Sequence, residues 1–204
     1  MNAPPVANLL ALDAHAQNLL FHTARTADSF TDQPVTDEQI RAIHELIRNG
    51  PTAYNAQPLR IVLVRSAAAR QRLLPHLAEA NRDKTAAAPL VAILAADTGF
   101  HEHLPRVFPH RQGIKEWLDA DPAGREAQAR FNAALQIGYL IVGIRAAGLA
   151  AGPMAGFDPT GLDTEFFPDG RLRCLLVVNI GYPGPQVRAD RLPRLTHDDV
   201  VRTV

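Results

Sequence analysis

Residues 125–149, REAQARFNAALQIGYLIVGIRAAGL, constrain the fold more than any other stretch. They read as one long helix, Arg125 to Leu149. Phe131, Leu135, Ile137, Leu140, Ile141, Val142 and Ile144 run nearly all round it, and no formal charge falls between Phe131 and Ile144. A helix apolar on every side has to be enclosed. The charge-free run is shorter than the roughly 20 residues a bilayer crossing takes, so protein must do the enclosing. One small sheet covers only part of such a helix. A second copy of the chain would cover the rest; full burial within one chain is the alternative.

The remaining sequence supplies the layers around it. With 204 residues, 47% hydrophobic and 21% charged, the chain reads as one globular domain, 1–204, rather than a disordered segment. Zero formal net charge gives no grip on nucleic acid or an acidic membrane. The lone Cys174 excludes an intramolecular disulfide and points to a reducing, cytoplasmic compartment. The opening MNAPPVANLLALDAH lacks a basic n-region and carries Asp13 early, so it does not read as a secretory signal. Helices are predicted over Val6 to Arg25, Asp37 to Asn49 (capped by Thr36 with Gln39 three residues on), Ala67 to Ala80 with a break at Pro75, and Leu162 to Phe167. Arg60 to Arg65, Leu90 to Ala96 and Leu172 to Ile180 are short apolar runs that predict strands, the first two buried on both faces. Residues 99–124 read as irregular, with a short helix near Ile114 to Leu118. Gly148 and Gly152 end the long helix, and Pro153 to Gly161 reads as a loop. Helices between strands give mixed α/β layers.

One connection stands out. GPTAYNAQPLR, residues 50–60, crowds two Pro, a Thr, an Asn and a Gln between a helix and a strand. Read alone, it is an Asx-turn. It does not stand alone: FHTARTADSFTDQPVTDEQI, GPTAYNAQPLRIVLV, NRDKTAAAPLVAIL, NAALQIGYLIVGIRAAGLAAGPMAGFD and LLVVNIGYPG follow one another in the chain. In that order they resemble the FMN-dependent nitroreductase superfamily, over most of residues 20–204. LPRVFPH, GPMAGFD and RLPRL are similar to the malonic semialdehyde reductases of pyrimidine breakdown.

The resemblance implies an α+β fold of mixed α/β layers, a small sheet flanked by helices in an intertwined homodimer, with FMN as cofactor and NADH or NADPH as transient hydride donor. Arg25 and Thr26 take the place of the first phosphate contacts. Asp28 stands where many relatives carry a second basic residue and would repel a phosphate, so Arg191 and Arg194, or Arg188, become the further candidates. Pro51, Thr52, Ala53 and Asn55 would reach the partner subunit's flavin. Asn81 and Lys84 would meet the ring and the ribityl chain; a lysine near N1–C2=O favours the anionic reduced flavin. Backbone N–H groups around Met154, Ala155 and Gly156 would face N5 and O4, with Ala155 where many nitroreductases have Glu.

The function implied is ping-pong hydride transfer through flavin N5, reducing malonic semialdehyde to 3-hydroxypropanoate. His110 and Arg106 or Arg111 are candidates for the substrate pocket and its carboxylate. Nitroaromatics or quinones are the alternative acceptors. A non-catalytic flavin-binding module, or a plain α/β scaffold without cofactor, are the readings of another class. His101, Glu102, His103 and His110 lie in an irregular stretch and make a poor metal cluster, and Cys174 reads as inert core. No Gly-x-Ser-x-Gly, P-loop or Rossmann glycine motif is present.

Overall fold

The computed structural model describes residues 9–185 and 191–204. Arg188 lies outside the described residues, as does the start of the predicted first helix. In chain order the elements are α1 (Ala14–Gln17), continued as a π-helical turn over Asn18–His22, α2 (Asp37–Ile47), β1 (Leu59–Val64), α3 (Ala67–Leu73), α4 (Glu79–Ala87), β2 (Leu90–Asp97), α5 (Leu104–Val107), α6 (Ile114–Asp119), α7 (Pro122–Ala146), β3 (Ala150–Met154), α8 (Pro159–Phe166), β4 (Leu172–Gly181) and α9 (His197–Val200).

The four strands form one antiparallel sheet in the order β1-β2-β4-β3. Side chains of β2 alternate between two helical layers, as a pleated strand requires. Leu90, Ala92 and Leu94 pack with Ile137, Leu140 and Ile144 of α7 and Ile43 of α2. Val91, Ile93 and Ala95 pack with Leu73 at the end of α3, Leu77 in the connection to α4, and Leu162 of α8. The α+β layering expected from the sequence is therefore the observed one.

Local chemistry sets the boundaries. Thr36 and Gln39 form the reciprocal capping box that starts α2. Asp121 caps α7 by accepting from Gly124 N, with Pro122 in the first turn. Gly148, at φ 73°, ends it: Leu149 N bonds Ile144 O at 3.1 Å and Gly148 N bonds Arg145 O at 2.9 Å. The first helix is shorter than predicted, because Asp13 caps it late through Ala16 N and it ends by His22. Pro75 does more than kink its helix: a 3-10 turn separates α3 from a new helix that carries Asn81 and Lys84. The loop expected over Pro153 to Gly161 is shorter: Pro153 and Met154 close strand β3 (Ala150–Met154) and α8 begins at Pro159. Pro153 is tolerated because β3 is an edge strand bonded only to β4. Gly152 therefore sits inside that strand and does not end the helix. β1 is the other edge, so Leu59–Leu63 are half-buried and only Val64 is buried, against the expectation of burial on both faces.

The long helix is not enclosed by its own chain. Ile137, Leu140 and Ile144 are buried, but Phe131 is 73% and Leu135 41% exposed. A side chain at Gly138 would meet nothing. Among the described residues, then, an apolar stripe is left open on the helix.

Candidate functional site

The carbonyls at the exit of the π-helical turn gather cations, as the negative end of a helix does. Arg191 Nη2 donates to the carbonyls of Phe21, His22 and Ala24 at 3.1, 2.6 and 3.0 Å. Arg25 Nη1 donates to those of His22, Thr23 and Ala24 at 3.3, 3.2 and 3.1 Å. Arg145, in the last turn of α7, donates from Nη1 to Leu20 O at 2.9 Å. With Thr26 and Arg194 these arginines line a cleft of about 570 Å³, and no carboxylate among the described residues lines it. Burial pushes the Arg145 guanidinium below its ordinary pKa, and the charge of Arg191 acts in the same direction. Arg191 is lowered by desolvation, then by Arg25 and Arg194. Crowded cations of this kind are relieved by an anion among them, and planar guanidinium forks match a phosphate.

Arg25, Thr26, Arg191 and Arg194, singled out from the sequence, thus come together. Arg145 was not foreseen. Its signal was available: it is the single charged residue in 131–149. Asp28 is not among the residues lining the cleft.

The cleft leads to β3. A second cavity of about 210 Å³ shares Ala24, Arg25 and Arg145 with the first and reaches Leu149 and Ala150. At the far end of β3, Asn81 Nδ2 and Ala78 N both donate to Gly156 O, at 3.0 and 2.9 Å. A Cβ on Gly156 would stand 2.9 Å from Asn81 Nδ2, so a side chain there would push the amide from its present place. Met154 is buried and its Sδ accepts from Thr85 Oγ1 at 3.7 Å. Ala155 and Gly156 are exposed, and Lys84, beside Thr85 on α4, is half-buried. Four strand steps, about 13 Å, separate Ala150 from Met154.

The loop of residues 51–57 stands at the opposite edge of the sheet. Tyr54, Asn55 and Gln57 all have positive φ, 56°, 52° and 46°. Non-glycine residues held there cost of order 1–3 kcal/mol each and persist only where the surroundings impose them. One face of α7 does the imposing. Asn132 Oδ1 accepts from Ala53 N at 2.7 Å, Gln136 Oε1 from Leu59 N at 2.9 Å, and Tyr139 OH donates to Pro51 O at 3.0 Å. Thr52 Oγ1 accepts from Gln57 N at 3.2 Å, and Asn55 Nδ2 donates to Val107 O at 2.8 Å. None of these gripping residues on α7 was foreseen.

Two separations follow. The sheet edges are three strand spacings apart, about 14 Å. Asn132 and Arg145 are about 20 Å apart along α7. One chain therefore does not bring Pro51, Thr52, Ala53 and Asn55 to the arginine cleft or to Gly156.

Beside the loop, Tyr54 packs edge-on against Phe108 at 5.8 Å, and the Phe108 and His110 rings are 3.9 Å apart. The Arg111 guanidinium lies 5.3 Å over the Tyr54 ring, a cation–π geometry. Arg106 is exposed on α5. His101 Nε2 lies 2.6 Å from Asp119 Oδ1, and among the described residues no group of three or more His, Cys, Asp or Glu is placed to hold a metal. Cys174 is buried, its thiol pushed up to about 12 by burial and by Asp163.

Fold and site define a class: an α+β protein with an arginine-lined cleft at the rim of an antiparallel sheet. The chain belongs to the nitroreductase family, whose profile matches residues 23–182. It is 58% identical over 195 residues to a Streptomyces coelicolor protein provisionally named NADH dehydrogenase/NAD(P)H nitroreductase, covering 96% of this chain and 99% of that one. Among solved structures it resembles a nitroreductase-type protein of Bacillus subtilis, TM-score 0.79 at 19% identity, covering 94% and 99% of the two chains. It also resembles an Exiguobacterium sibiricum protein solved in complex with FMN, TM-score 0.77 at 18% identity, covering 95% and 98%. Among the described residues no helix is long and apolar enough to cross a membrane.

Proposed function

We propose that the chain is an FMN-dependent NAD(P)H oxidoreductase that works as a homodimer and reduces a small aldehyde, malonic semialdehyde, to 3-hydroxypropanoate. The carrying observation is the line from the arginine cleft along β3 to Gly156. Its residues fit FMN: Arg25, Thr26, Arg191 and Arg194 would hold the phosphate, and Asn81, Lys84 and the backbone of Met154, Ala155 and Gly156 would hold the ribityl chain and ring. Bound there, FMN supplies hydride transfer between NAD(P)H and an acceptor. The chain's own part is to bind, orient and exclude water. Gly156 lets the backbone approach closely, and the pinned loop of residues 51–55 presents polar groups without further ordering cost.

Because that loop stands at the opposite sheet edge, it would serve the partner's flavin, and the open stripe at Phe131, Leu135 and Gly138 would be the contact between subunits. For the acceptor, Arg111 beside Tyr54 suits a carboxylate, with His110 next to it; Arg106 is the alternative cation. The clustered Tyr54, Phe108 and His110 rings, packed edge-on and tilted, favour a second reading, flat nitroaromatic or quinone acceptors. Side-by-side turnover of the flavin-loaded protein with malonic semialdehyde and with a nitrofuran separates the two. Oxidation of NADPH that stays at background with the aldehyde would eliminate the first.

A further inference from the structure

We propose that Arg145 is a direct ligand of the cofactor's phosphate, supplying from the last turn of α7 the cation that the chain lacks at position 28. The assignment rests on the flavin reading above. Arg145 lines the cleft together with Arg25, Arg191 and Arg194, and it also walls the second cavity that leads to β3. It therefore stands where a phosphate in the cleft would continue into a chain running along the strand. Its backbone is fixed by the close of a 25-residue helix, a firmer base than the segments that carry the other three arginines. One terminal nitrogen is held by Leu20 O. Its Nε–H is buried with no acceptor, which leaves the guanidinium under-satisfied at a real cost. The surrounding charge adds to that cost. No carboxylate among the described residues lines the cleft, and a bound anion would supply the compensation.

A purely structural role is the competing account: Arg145 would only clamp Leu20 O and hold the N-terminal segment in place. Flavins with and without phosphate distinguish the two. Full-length protein stripped of bound flavin is titrated with FMN and with riboflavin, following quenching of flavin fluorescence, for wild type, Arg145→Gln and Arg145→Lys. Loss of a charge-assisted phosphate contact predicts FMN affinity about 10- to 100-fold weaker in Arg145→Gln, with riboflavin affinity changed less than about twofold. Arg145→Lys keeps the charge but loses the fork, and should fall between wild type and Arg145→Gln for FMN alone. Equal loss for both flavins, or no loss for either, in the lysine variant as in the glutamine variant, overturns the assignment and leaves the flavin reading standing. Wild-type protein that takes up neither flavin would overturn both.

Discussion

Asp97 shows how one carboxylate can organise a strand end. It is 1% exposed, accepts from Arg60 Nη2 at 2.5 Å, from Arg171 Nε at 2.8 Å and from Gly99 N at 2.8 Å. Burial pushes its pKa up, but the Arg171 hydrogen bond and the charge of Arg60 outweigh that, and the net direction is down. A carboxyl lowered by folding contributes stability above its unfolded pKa of about 3.9, and that stability is lost as pH falls through the folded value. Denaturant melts at pH 7 and below pH 4 should show the loss. Asp97→Asn should cost about 2–3 kcal/mol at pH 7 and flatten that part of the acid limb; an unchanged acid limb would remove Asp97 from the account. Gly156 belongs to the same scale. Gly156→Val places carbon 2.9 Å from Asn81 Nδ2 and should displace the amide, weakening FMN binding at least tenfold. Unaltered FMN titration of that variant would mean the Asn81–Gly156 approach is not part of the site.

At the scale of elements, α7 is both core and clamp. Its buried stripe packs on the sheet, while Asn132, Gln136 and Tyr139 bond Ala53 N, Leu59 N and Pro51 O, on either side of the left-handed residues Tyr54, Asn55 and Gln57. Asn132→Ala leaves Ala53 N without its partner and should lower stability by about 1–3 kcal/mol, read as a fall in the urea midpoint; no fall would show that the loop holds its shape unaided. The same helix shows what sequence discloses. Thr36 with Gln39 is a local signal, so the start of α2 could be read directly, whereas α7 starts at Pro122 behind the Asp121 cap, three residues before the Arg125 expected from the apolar pattern. β3 could not, because AAGPM has neither β-branched residues nor alternation, and only pairing with β4 makes it a strand. The two-faced burial expected of β1 failed for a similar reason: an apolar run does not say how many neighbours it will have. Arg25, Thr26, Arg191 and Arg194 were legible through resemblance. Arg145 and the gripping residues of α7 act across distances of 77 to 125 residues in sequence, which local patterns do not encode.

The whole molecule is an unfinished surface. Phe131 and Leu135 lie exposed on the helix that the sequence says must be covered, and the two halves of the predicted site sit at opposite sheet edges. On the proposed reading both have one explanation, a second copy that would cover the stripe and lend its loop. Leu135→Lys should therefore split the assembly and release flavin together. If that variant dissociates yet keeps FMN, the loop is not shared.

On the proposed reading one flavin is held jointly by two chains. Sedimentation velocity followed at the absorbance of bound FMN is the deciding measurement. A jointly held flavin gives a single flavin-bearing boundary at the mass of two chains. Flavin absorbance travelling with one chain, or left behind as free FMN while the protein sediments colourless, would contradict it.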